Sequence, residues 1–446
     1  MRGLLALLML LPVSSWAQDT LFTANLQLLT RGELRNGGIS SDVEEATTED
    51  RSAFILDRER LVLDYQRDWL EARTSFQHVG TWGHEGTATT SVYEAWAKMS
   101  ARNGLFAQIG RLALRYDDER IVGSDDWVMA AMTHDALRLG YESRQAGNGL
   151  SGVGQGHKLH VILAYNQNMR AMREAGSYYT GGSRPYKTMQ TVWYHYDVPK
   201  VPLGASLLLM NIGMQAGDKD GRLENAPHTE WQMLYGGYVK YAPRHFSLEG
   251  SYYRQTGHDE YAAKLSAWMA SVKATYQFSI SSLQSSVVVG YDYLSGDDYV
   301  AVVNKGGLGM PRHEVNKGFN PVYGSHHKFY GAMDFFYLST YVNGFTPGLR
   351  NAYIGGNCRP LKNLNLKATY HYLATGTKLD ELDRTLGHEI ELEVAYTLAK
   401  DVKLSAGFSY MTGTETLERL KRASGDGSLR WGWLSLIVTP RLFTIK

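Results

Sequence analysis

Three arginines and five carboxylates crowd the stretch GRLALRYDDERIVGSDDW, residues 110–127. Within it Arg115 and Arg120 flank Asp117, Asp118 and Glu119. A guanidinium presents its N–H donors in a planar fork that fits a carboxylate through two parallel hydrogen bonds. Residues of these types can therefore hold one another in an ordered network and exchange partners with a carboxylate ligand. The bland reading is a solvated loop, because exposed ion pairs contribute little. Taken alone, the residues favour the bland reading.

Other chemistry-bearing patterns are weaker. GNGLSG (147–152) fits G-x-G-x-x-G, but no periodic helix follows, so it reads as a glycine-rich turn. The adjacent His326 and His327 diverge and lack a third ligand at metal spacing, so they read as loop residues and no metal or cofactor is expected. Neither G-x-S-x-G nor H-E-x-x-H occurs, which lowers the odds of an enzyme.

The elements that carry these residues begin with a leader. Met1 and Arg2 precede the apolar run LLALLMLLPV and the small residues of SSWAQ, the pattern of a secretory signal peptide cleaved after Ala17. Residues 18–446 are then expected to form one domain. Loss of Arg2 leaves 45 basic against 45 acidic residues, so charge makes no case for a nucleic-acid partner. Cys358 is the single cysteine and cannot form an internal disulfide. No run of about eighteen apolar residues follows the leader, which argues against a membrane helix. The 29 tyrosines, 10 tryptophans and 46 glycines against 11 prolines suit a large antiparallel β protein with aromatic bands.

Periodicity sharpens this. In NLNLKATYHYL, Leu364, Leu366, Ala368, Tyr370 and Tyr372 share one face, while Asn365, Lys367, Thr369 and His371 share the other. HEIELEVAYTL sets Ile390, Leu392 and Val394 against Glu389, Glu391 and Glu393; VKLSAGFSYM, WLEARTSFQ and SAWMASVKATYQF repeat the alternation. A soluble sandwich alternates in the same way. Connection lengths separate the two: tight links at 67, 102, 242, 359 and 399 alternate with long polar loops at 36–52, 80–90, 116–133, 168–187, 215–230, 257–264, 296–348, 376–387 and 413–428. Such asymmetry belongs to outer-membrane barrels, with tight periplasmic turns and long extracellular loops.

The expected fold is thus an all-β transmembrane barrel of about eighteen antiparallel strands. HKFYGAMDFFYL (327–338) would add a nineteenth and break the parity, so it is placed in an extracellular loop that folds inward. The connection at 145–156 is long for a periplasmic turn. Strict alternation puts Arg111 on the lipid side, which a bulge at Gly110 or a place near the interface would relieve. The final strand runs to Phe443 and is followed by Thr444, Ile445 and Lys446. A barrel this wide suits an aqueous passage. Its inward positions carry Arg31, Arg35, Arg58, Arg60, Arg73, Lys98, Arg138 and Lys158, interleaved with Glu33, Asp64, Glu71, Glu94 and Glu142.

RERLVLDYQRDWLEARTSFQHVGTWG (58–83), the charged stretch 110–127, HDALRLGYE (134–142), YDYLSGDD (291–298) and FNPVYGSHHKFYGAMDFFY (319–337) together resemble the alginate export family of outer-membrane proteins. The resemblance spans essentially the whole mature chain. It implies an eighteen-stranded barrel in the outer membrane whose arginine-lined constriction passes an acidic polysaccharide. On that reading Arg60, Arg73, Lys98, Arg138 and Lys158 line the wall. Arg115 and Arg120, supported by Asp117, Asp118 and Glu119, form a loop network folded toward the pore. The partners implied are an anionic saccharide, outer-membrane lipid and a periplasmic export component that no residue specifies. A general porin for small solutes, and a barrel enzyme or adhesin, are the alternatives.

Overall fold

The computed structural model describes residues 21–36, 51–143, 156–166, 186–216, 228–259, 262–280, 283–297, 315–336, 346–379, 382–421 and 428–445. The expected signal peptide, the turn at 145–156 and GNGLSG lie outside the described residues or mostly so. The wall begins with β1 (Leu21–Asn36), β2 (Arg51–Arg67), β3 (Leu70–Thr81), β4 (His84–Ser100), β5 (Leu105–Leu112), β6 (His134–Glu142) and β7 (His157–Tyr165). It continues with β8 (Thr188–Asp197), β9 (Leu203–Ala216), β10 (His228–Tyr241), β11 (Phe246–His258), β12 (Lys264–Ile280) and β13 (Leu283–Leu294). After the two-residue β14 (Val315–Asn316) come β15 (Leu349–Leu361), β16 (Leu364–Ala374), β17 (Thr385–Ala399), β18 (Val402–Gly413), β19 (Ser428–Val438) and β20 (Arg441–Ile445).

Each wall strand pairs antiparallel with the next, β13 passes directly to β15, and β1 pairs with β19 and β20 to close the ring. β19 and β20 run along the same neighbour and are separated at Pro440, which has no N–H for the ladder. Counted as one interrupted strand, they make the eighteenth of a closed barrel. β14 stands apart, pairing parallel with the start of β12.

Alternation decides what faces where. On β17 Ile390, Leu392 and Val394 are 48, 49 and 41 % exposed, whereas Glu389 between the same turns is 1 % exposed. The apolar set faces outward, as a lipid-exposed wall requires, and the carboxylates face the lumen. No helix among the described residues is long and apolar enough to cross a membrane.

Three local expectations meet different outcomes. The segment 80–90 is not a long loop: β3 and β4 continue through it and turn at Trp82 and Gly83, because TATTSVY is rich in β-branched residues that favour a strand. Residues 326–336 do fold inward, through a single 3₁₀ turn at His326–Lys328 and with Tyr330, Phe335 and Phe336 buried. Arg111 stays on the outer face with β5 in unbroken register, and Asp135 stands directly opposite it. The pair closes through Nε–Oδ1 and Nη2–Oδ2 contacts of 2.8 Å each, at the long-loop end of the strand. Gly110 adopts φ 131° there without a register shift.

Candidate functional site: two inward loops and the lumen beside them

The loop 113–133 is held to the wall of β1–β3 by its own backbone carbonyls. Arg31 Nη1 donates to Trp127 O at 3.1 Å, Arg58 Nη1 to Asp126 O at 3.1 Å, and Gln77 Nε2 to Ala130 O at 3.0 Å. Arg60 reaches Asp126 Oδ1 at 2.8 Å, Gln77 at 2.5 Å and the face of Tyr93 at 3.6 Å. These carbonyls have no strand partner, so inward arginines and a glutamine satisfy them. On the far side Asp117 accepts from Trp193 Nε1 and Ser206 Oγ, tying the loop to β8 and β9.

The second loop, 317–336, lies against the first. Val122 and Tyr323 form a parallel bridge, Ser325 Oγ donates to Glu119 at 3.1 Å, and the Asp125 N–H donates to Ser325 Oγ at 3.0 Å. Arg120 is the shared pin: it pairs with Asp292 of β13 at 3.1 Å, donates to Tyr330 Oη at 3.3 Å and lies 4.0 Å over Phe329. At the opposite wall the backbone N–H groups of Ala332 and Met333 donate to Glu391 and Glu389 at 2.6 and 2.9 Å. Gly331 makes that approach feasible, since a Cβ there would sit 2.3 Å from Glu389 Oε2 and φ is 93°.

Burial sets the charge states of the loops. It alone would lower the Arg120 pKa, but Asp292, Tyr330 and Asp118 carry it well above its ordinary value. Desolvation raises Asp117, despite its hydrogen bonds from Ser206 and Trp193. Asp125 is pushed up to about 7, first by desolvation and then by Asp334, Asp126 and Glu119, with His327 opposing. His327 itself bonds Asp334 at 2.8 Å and stacks on Trp127 at 3.9 Å.

Between these loops and the wall of β10–β19 lies a cavity of about 610 Å³. One row crosses three strands: Lys240, Glu249 and Lys273 stand in register on β10, β11 and β12, with Lys–Glu contacts of 3.7 and 3.0 Å. Lys367 of β16 faces Glu393 of β17 at 3.8 Å, and Lys328 enters from the second loop. Trp127, Phe329, Tyr353 and Trp433 contribute aromatic surface. The side chains of Lys240, Lys328 and Lys367 are 50, 52 and 49 % exposed, so their ammonium groups are open to an arriving ligand.

The cations expected from the sequence are distributed differently. Arg60 and Arg120 have side chains 6 and 4 % exposed and are occupied by Asp126 and Asp292. Arg73, with 36 % of its side chain exposed, pairs with Asp64 and Glu94; Lys98 faces Glu71, and Lys158 faces Asp197. Arg138 bonds Gln108, and Arg115 is exposed with Nε on Ser124 Oγ at 2.7 Å. Of the supporting acids, Asp118 holds Arg120, Glu119 holds Ser325 and Lys328, and Asp117 faces Trp193. The lysine row on β10–β12 was not among the expected site residues. Its signal is cross-strand: Lys240, Glu249 and Lys273 sit on lumen-facing parity, and only the register brings them together.

A closed up-and-down barrel of eighteen strands, lined by charge and narrowed by inward loops, has the architecture of the outer-membrane porins. Acinetobacter baumannii OccAB1 is similar in structure, with TM-score 0.59 at 12 % identity over 95 % of this chain and 97 % of that one. Pseudomonas aeruginosa OccK2 (OpdF), solved in complex with glucuronate, gives TM-score 0.58 at 12 % identity over 95 and 98 %. P. aeruginosa OccK9 (OpdG) gives 0.58 at 13 %. In sequence, residues 202–394 match the alginate export family. That stretch contains YDYLSGDD and the HHKFYG segment, while the motifs at 58–142 precede it. No curated protein matches the chain.

Proposed function

We propose that the protein is an outer-membrane channel that passively conducts anionic saccharides, of the acidic polysaccharide class that the alginate export family handles. The observation that carries this reading is the set of exposed lysines around the lumen cavity, beside aromatic faces on which sugar rings pack. The family match covers β10–β12 and β16, which supply that row, and glucuronate, present in the OccK2 structure, is itself a uronate. Lysine is a point charge on a flexible stem, so a row of them offers several weak, exchangeable sites for carboxylates in place of one deep trap. Glu249, Glu391 and Glu393 temper the attraction and keep the sites exchangeable. On this reading residues 18–446 form the barrel after removal of the leader. Arg73, Lys98, Arg138 and Lys158 supply a second, paired band of cations, and a periplasmic component delivers the polymer.

The test is reversal potential in a planar bilayer under a salt gradient, before and after oligouronate. Anion selectivity with block by oligouronate supports the reading. Weak selectivity without block makes the protein a general porin, and absence of conductance overturns the channel altogether.

A further inference from the structure

On the outward face of β2 and β3 three cross-strand pairs stack in register: Leu61 opposite Phe76, Glu59 opposite His78, and Asp57 opposite Gly80. Their direction follows from alternation, because Arg58, Arg60 and Gln77 point inward and are buried, while Leu61 and Phe76 are exposed. Two carboxylates and an imidazole therefore face outward on a wall where charge is costly at membrane depth. Another outward charge near this end, Arg111, is neutralised by Asp135. Among the described residues no lysine or arginine does the same for Asp57 or Glu59, and Glu59 Oε2 is buried without a hydrogen-bond partner.

The three side chains converge. One ligand atom from each of Asp57, Glu59 and His78 lies within 4.8 Å of the others. Gly80 opens the space they share: a Cβ there would stand 3.3 Å from Asp57 Oδ1 and 3.5 Å from His78 Nε2. His78 is also oriented, with Nδ1 at 3.0 Å from Thr90 Oγ1 on β4. A proton on Nδ1 donated to Thr90 leaves the Nε2 lone pair turned toward the carboxylates, as second-shell partners do for metal-binding histidines.

We propose that Asp57, Glu59 and His78 bind a divalent transition-metal ion on the outer wall of the barrel. One imidazole nitrogen and two carboxylate oxygens form a borderline donor set that suits zinc, and three protein ligands leave a fourth position open to water or an external anion. Two carboxylates neutralise the dication, and the ion in turn removes the cost of facing them outward. The site lies on the opposite surface of the wall from the lumen and is independent of what the channel carries.

The experiment titrates Zn²⁺ into the refolded barrel in detergent at neutral pH against a chromophoric chelator. Saturable binding of one equivalent is expected. His78→Ala and Glu59→Gln should each weaken it by at least the roughly tenfold expected of Thr90→Val, which removes only the orienting hydroxyl. Gly80→Val keeps every ligand and fills the space between them, so it too should weaken binding. Heat-modifiable electrophoretic mobility reports folding of each variant, and Gly80→Val with Glu59→Gln decide the matter should His78→Ala fail to fold. No saturable equivalent, or binding unchanged in the folded variants, overturns the proposal.

Discussion

Two sides of the lumen wall both carry basic side chains and use them differently. Along β1 and β2 three inward arginines are buried: Arg31, Arg58 and Arg60 are at most 5 % exposed, and each is engaged by a carbonyl or carboxylate of the loop 113–133. Along β10–β17 the inward cations are lysines with exposed heads, paired loosely across strands and facing open space. The chemistry of the two side chains accounts for the division. A planar guanidinium with five donors can satisfy several loop acceptors at once, whereas an ammonium on a flexible stem can follow a moving ligand. Positive charge on a pore wall is therefore no guide to a binding site until its partners are known.

The sharpest way to break this division is at Arg120, which pins both loops to β13. Arg120→Ala leaves Asp292, 1 % exposed, as an unpaired buried charge. The expected cost is about 3–5 kcal/mol, read as a lower urea midpoint. Single-channel conductance should rise as the loops loosen. The double variant Arg120→Met with Asp292→Leu should recover most of the stability, because removing both partners spares the stranded charge. Unchanged stability in Arg120→Ala would mean that the loops are held from elsewhere.

On the lysine side, Lys240→Gln, Lys273→Gln and Lys367→Gln combined should leave folding intact and weaken block by oligouronate about tenfold, equivalent to 1.4 kcal/mol. Arg60→Gln should alter stability in preference to block, since its guanidinium is committed to Asp126 and Gln77. Equal loss of block in both variants would erase the distinction between the halves.

Much of the barrel was legible beforehand because period-two alternation and the contrast of tight turns with long loops are local signals. Ile390, Leu392 and Val394 could be set against Glu389, Glu391 and Glu393 by counting alone. Inward folding of the loop after β13 was legible too, since its aromatic residues broke the strand parity. The partners of the charges were not legible. Arg120 meets Asp292 across 172 positions, and Lys240 meets Lys273 through Glu249 only once three strands are in register. Composition likewise gave no means of telling Arg60, buried under a loop, from Lys367, open to the cavity.

A subtler contrast concerns pH. Asp125, at the contact of the two loops, has its carboxyl raised from 3.8 to about 7. Between those values the folded protein holds a proton that the unfolded chain has released, so stability falls as pH rises through that window and is flat above it. The groups facing Asp125 are His327, Asp334, Asp126 and Glu119. Asp125→Asn keeps a neutral side chain at every pH, so the unfolding midpoint of the variant should fall less than that of the natural protein between pH 4 and 7. Every other group is common to both proteins, so the difference between the two curves reports Asp125.

The smallest effect is expected where a cation of the first half is paired yet not committed to a loop. Lys98 faces Glu71 at 3.6 Å with 22 % of its side chain exposed, and Glu71 is 42 % exposed. An ion pair this open to water contributes about 0.2–1 kcal/mol and is screened by salt. Lys98→Gln should therefore shift the urea midpoint barely at all, and the shift should vanish in high salt. Its informative readout is selectivity. If Lys98→Gln reduces anion preference as much as a single lysine substitution on β10–β12, the first half lines the passage as well as bracing the loop. If reversal potential is unchanged, the passage runs along the lysine side, and the arginine-rich half serves to hold the loop that narrows it.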